Sequence, residues 1–156
     1  MKSIIGILTL YFLLVSCGQQ NSGGDNASKQ TLYPITGTWQ LVTATLIDKG
    51  DTTVTDYTKG TSFIKIINDT HFAFLQHDLN KGRDSAVFVS GGGKYSLRDS
   101  LYTEHLEYCS ARDWEGNDFT FTITLKGDTL IQSGVEKVES SGIDRINIEK
   151  YLKVKE

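Results

Sequence analysis

The stretch Phe119–Gly134, FTFTITLKGDTLIQSG, decides the fold. Phe119, Phe121, Ile123 and Leu125 alternate with Thr120, Thr122 and Thr124. Successive side chains of a strand point to opposite faces, so this pattern makes a strand with an apolar face toward a core and a threonine face toward water. Lys126-Gly127-Asp128 turns the chain back, and TLIQSGVEKV, Thr129–Val138, follows as its antiparallel neighbour.

Working outward, the same signal recurs. Thr38–Ile47 is a long β-favouring run, and Ser62–Ile67 meets His71–His77 across an Asn-Asp-Thr turn. Ser85–Ser90 is short, Lys94–Cys109 holds two strands around Arg98-Asp99-Ser100, and Ile146–Val154 closes the chain. No segment sustains a period of 3.6, although Val135–Ser141 has the composition of a helical turn. Eight or nine short strands joined by tight turns predict an all-β, antiparallel up-and-down β-barrel of about eight to ten strands, closed so that no edge is exposed. Within Ser62–Ile67 the charge places Lys65 in water and turns Ile64 and Ile66 inward. Tyr95 and Leu97 share a face opposite Lys94, Ser96 and Arg98.

The front of the chain reads differently. After Lys2, an apolar run spans Ile4–Val15. That is about twelve residues, where a membrane-crossing helix needs about twenty, so it is a signal-peptide core. It ends in Leu14-Val15-Ser16-Cys17, which resembles a bacterial lipobox. The resemblance implies cleavage before Cys17 and lipidation of that residue. Acyl chains contribute about 0.8 kcal/mol per buried CH₂, and two or more hold a protein stably on a membrane. Gly18–Gln30 has no large apolar residue and reads as a flexible tether. The expected organisation is a signal peptide over 1–16, a lipidated cysteine and linker over 17–30, and a barrel domain over 31–156. The expected place is the bacterial cell envelope, anchored to the outer membrane and facing the periplasm or the cell surface.

The chain carries 16 Lys+Arg against 19 Asp+Glu, a net charge of −3. No basic patch stands out, which argues against nucleic acid. Of the two cysteines, Cys17 is the lipid site, so Cys109 has no disulfide partner within the mature domain and is expected to face inward.

Gly37-Thr38-Trp39 resembles the G-x-W signature of the lipocalin and wider calycin group. In that group the tryptophan closes the barrel floor, and a basic residue on the last strand packs over it. The resemblance assigns this role to Trp39 with Lys153, and Lys150 is the second candidate. THFAF, GGGKYSL, YTEHLEY and IEKYLKV resemble, in order, the strands of bacterial lipocalin-like proteins of poorly known activity. That likeness implies a fold, without a defined ligand or reaction.

Chemistry-bearing residues concentrate in SLYTEHLEYC, Ser100–Cys109. Strand parity puts Tyr102, Glu104, Leu106 and Tyr108 on one face and Leu101, Thr103, His105, Glu107 and Cys109 on the other. The aromatic pair favours the first face as the inner one, and the lone cysteine favours the second. Glu104 and Glu107 fall on opposite faces and cannot form a glycosidase-type pair. His71 and His77 are six residues apart, roughly 20 Å along a strand, too far to share a metal. His71 reads as a structural or lumenal histidine, and His71 with His105 and a carboxylate could meet across strands. Trp114 either covers the barrel mouth or packs on the stem of its own loop. No G-x-S-x-G, phosphate loop or C-x-x-C occurs, so no metal or cofactor is indicated. The favoured function is non-covalent binding of a small, partly apolar molecule, with His71, Tyr95, Tyr102, Glu104 and Phe121 as lining candidates. The alternatives are a packed barrel serving a protein partner, and an enzyme using a lumenal histidine and carboxylate.

Overall fold

A computed structural model describes residues 34–155. The expected signal peptide, Cys17 and the 17–30 linker lie outside the described residues.

Among the described residues nine strands follow one another: β1 Gly37–Asp48, β2 Asp51–Asp56, β3 Thr61–Ile67, β4 His71–Asp78, β5 Phe88–Arg98, β6 Leu101–Cys109, β7 Asp118–Lys126, β8 Thr129–Val138 and β9 Ile143–Lys153. Single 3₁₀ turns interrupt them at Arg112–Trp114 and Glu139–Ser141. From β3 to β9 each strand pairs antiparallel with the next, and β9 returns to β1. The sheet closes into an antiparallel barrel of eight strands, with β2 as an extra strand. Strand β1 serves three neighbours. Gly37–Gln40 pairs with β3, Thr43–Asp48 pairs with β2, and β9 runs along the other edge from Trp39↔Lys153 to Ile47↔Ile146.

The alternation in Phe119–Leu125 is obeyed. Phe119, Phe121 and Ile123 are buried while the threonines between them are exposed. Together with Trp39, Leu41, Ile67, Phe72, Tyr102, Leu106, Leu130, Val138 and Tyr151 they form the hydrophobic core. The end holding Trp39 is closed. Trp39 is fully buried and its Nε1–H donates to the Ile35 carbonyl at 2.7 Å. The Lys153 ammonium lies 5.3 Å from the Trp39 ring centre. Gly37, at φ 132°, leaves room for it, since a Cβ there would sit 3.1 Å from Lys153 Cε.

The strand boundaries depart from the sequence reading in two places. Only Phe88–Ser90 of the Ser85–Ser90 run is strand, and it continues without a break into the strand after it as β5, which runs through Gly91-Gly92-Gly93. Three glycines read as a break, but here they admit close neighbours. A Cβ at Gly92 would sit 2.5 Å from the Phe72 carbonyl oxygen, and one at Gly93 would collide with the His105 carbonyl. Strand β2, DTTVTD, is exposed at every residue and so carries no alternation to detect.

Lys65 reverses its expectation. It is 2 % exposed and points into the barrel, while Ile66 is 40 % exposed on the outside. Lys65 shares its face with Phe63 and Ile67, and the parity of the strand outweighs the preference of one charge for water because a buried carboxylate meets it.

Candidate functional site

At the end opposite Trp39 the barrel holds a cavity of about 320 Å³. Ligand pockets span roughly 300–1,000 Å³, so this one suits a small molecule. Its apolar walls come from Leu46 of β1, Phe63 of β3, Phe74 of β4, Leu106 of β6, and Phe119 and Phe121 of β7. Tyr57 and Trp114 stand at the same end, on the connections after β2 and β6.

The floor is polar. The Lys65 ammonium donates to Glu104 Oε1 at 2.6 Å and to Gln132 Oε1 at 2.9 Å. Gln132 Nε2 donates to Glu149 Oε2 at 2.7 Å, and the Tyr151 hydroxyl donates to the same oxygen at 2.7 Å. Rings of Tyr151, Phe72 and Tyr102 stand 5.3, 5.8 and 5.9 Å from the Lys65 nitrogen, so aromatic faces replace much of its lost water. Burial pushes the Glu104 carboxyl upward, and the Lys65 charge beside it pulls the other way without cancelling that push. Burial, reinforced by Glu149, raises the Tyr151 phenol well above its ordinary value. Burial and the Glu104 charge likewise raise Tyr102, whose hydroxyl has no hydrogen-bond partner among the described residues.

A second polar cluster climbs the wall between β8 and β9. Arg145 reaches Glu136 Oε2 through Nη2 at 2.7 Å and Nε at 2.8 Å, and Asn147 Nδ2 donates to Glu136 Oε1 at 2.7 Å. The Arg145 guanidinium lies 5.5 Å from the Trp114 ring, which itself packs 5.5 Å from Phe119. Trp114 therefore stands at the cavity mouth, clamped between an arginine and a phenylalanine.

Strand β6 uses both of its alternative faces. Tyr102, Glu104 and Leu106 are buried inside. Gly93 then pairs with Leu106 while Gly92 pairs with Tyr108, so Glu107 is the extra residue of a bulge. The bulge switches the parity: Tyr108 is 68 % exposed outside, and Cys109 faces the cavity.

Of the lining candidates, Glu104 and Phe121 face the cavity. Tyr102 lies beneath it, against Lys65. Tyr95 does not line the cavity: it sits toward the closed end, 5.2 Å from the Tyr102 ring, with its hydroxyl on the Asn68 carbonyl at 2.8 Å. His71 is exposed on the outer face, its Nδ1 2.7 Å from Thr70 Oγ1, because Phe72 takes the inward position beside it. His77 is also exposed, and His105 pairs outside with Asp118 at 2.8 Å. The chain's three histidines thus all lie outside the cavity, and a lumenal histidine catalyst has no residue to perform it.

The sequence reading missed Lys65, Gln132, Glu136, Arg145, Asn147 and Glu149. A signal was present in β9. If Lys153 caps Trp39 from inside, parity carries Tyr151, Glu149, Asn147 and Arg145 inward with it. Comparison with protein-family models gives no match, and comparison with curated proteins gives none either.

Proposed function

We propose that this chain is a lipid-anchored, lipocalin-like protein of the bacterial envelope that binds a small, partly apolar molecule non-covalently in its barrel. The cavity of about 320 Å³ carries this reading. It is closed at the Trp39 end, walled by aromatic rings and floored by a fixed polar network, the arrangement expected of a site that orients one end of a ligand and desolvates the other. A barrel packed with side chains would offer a partner only its outer surface. The lipobox-like Leu14-Val15-Ser16-Cys17 supports the anchor, and Gly37-Thr38-Trp39 with Lys153 supports the lipocalin-like assignment.

Tryptophan emission tests the binding reading, because one tryptophan lines the cavity and the other is sealed at the opposite end of the barrel. Titration with fractions of an envelope extract should give a saturable change that Trp114→Phe removes and Trp39→Phe keeps. A change that survives Trp114→Phe, or none in any fraction, contradicts the reading. Metabolic labelling with a radioactive fatty acid, lost in Cys17→Ser, tests the anchor.

A further inference from the structure

We infer that the cavity selects an organic cation, a protonated amine carried on an apolar body. This deepens the binding reading above and rests on it.

The charge inventory of the lining is the first observation. Three carboxylates, Glu104, Glu136 and Glu149, face two cations, Lys65 and Arg145. Lys65 and Glu104 are 2.6 Å apart, and Arg145 and Glu136 are 2.7 Å apart. With its carboxylate ionised, each pair is neutral as a unit. Glu149 is left over. Its Oε2 accepts from the neutral amide of Gln132 and the neutral phenol of Tyr151, and its Oε1 accepts no hydrogen bond among the described residues. The cavity therefore holds one carboxylate without a counter-charge, in surroundings where water screens poorly.

The aromatic walls are the second observation. Ring faces attract cations, best when both are desolvated. The protein already handles its own charges this way, with Lys65 among three rings and Arg145 over Trp114. Phe63, Phe74 and Phe121 offer further rings to an incoming cation.

The third observation is an acceptor without a donor. Asn147 is 5 % exposed and belongs to the cavity wall, and its Oδ1 has no partner among the described residues. Buried acceptors are normally paired, and this one is left over in the same wall as Glu149. Both protein cations are engaged with carboxylates, and the free charge an anionic ligand would meet is that of Glu149.

Isothermal titration of the purified full chain with phenethylamine, phenethyl alcohol and hydrocinnamate tests this, since the three share a body and differ in charge. Phenethylamine should bind at least about tenfold more tightly than the alcohol, and hydrocinnamate most weakly. Glu149→Gln keeps an acceptor for Gln132 and Tyr151 and should level the amine with the alcohol. If the alcohol or hydrocinnamate binds as tightly as the amine, or the preference survives Glu149→Gln in a folded variant, the cation inference is overturned while the binding reading stands. If none of the three binds, both are overturned.

Discussion

At the scale of single residues, the Lys65–Glu104 pair sets the character of the interior. Two ions 3 % and 8 % exposed must compensate each other, because neither has water to do so. Breaking such a pair from one side strands the other charge. Lys65→Met should therefore cost about 3–5 kcal/mol in urea unfolding, and adding Glu104→Leu should recover much of that loss. The pair also sets a pH dependence. Burial raises the Glu104 carboxyl above its ordinary 4.5, so in that window the folded chain holds a proton the unfolded chain has released. Stability should fall as pH rises from about 4.5 through the raised value, and Glu104→Gln should remove that slope from a series of urea titrations. Asp56 acts oppositely and at lower pH. Hydrogen bonds from the Thr58 side chain and backbone hold it at about 2, so its contribution is present above 3.8 and lost as pH falls through about 2.

At the scale of elements, legibility followed parity. Strand β7 could be read outright because every second residue is apolar, whereas parity within β6 separated two faces, the aromatic pair favouring the one with Tyr102 and Glu104 and the lone cysteine the other. What the alternation could not foretell is the bulge at Glu107, since an extra residue has no composition of its own and shows only against the partner strand. It reconciles the two readings of β6, putting Glu104 and Cys109 in one interior. Strand β3 failed for another reason. A lysine between isoleucines was sent to solvent, when its partner lay 39 residues away on a strand whose own orientation was open. The buried pair was invisible from either segment alone. In β5 the glycines mark backbone approach. Gly93→Ala should cost about 1–3 kcal/mol, because a methyl there meets backbone that cannot yield, whereas Ser96→Ala on the same strand should be nearly neutral in the same unfolding measurement.

At the scale of the whole molecule, the barrel divides its labour between its ends. The Trp39 end is sealed by Ile35, Trp39 and Ile67, all 2 % exposed or less, while the Trp114 end carries the cavity. Tryptophan removal should separate the two roles. Trp39→Ala should cost about 3–5 kcal/mol of stability, as expected for a large buried ring. Trp114→Ala should cost less stability, since Trp114 is only partly buried, and should weaken ligand binding. The overall architecture was legible because hairpin order and turn chemistry alone specify a closed meander. The site was legible only in part, because its polar groups come from four strands and become neighbours through closure.

The central claim is that the lumen itself is the binding site, and filling the lumen tests it most directly. Ala44 is buried and faces the cavity. Native mass spectrometry should compare the wild-type chain and Ala44→Phe, each isolated from the envelope and each verified as folded by circular dichroism. The expected result is a small non-covalent mass retained by the wild type and absent from Ala44→Phe. The same mass on both proteins, or no mass on the wild type, would contradict it.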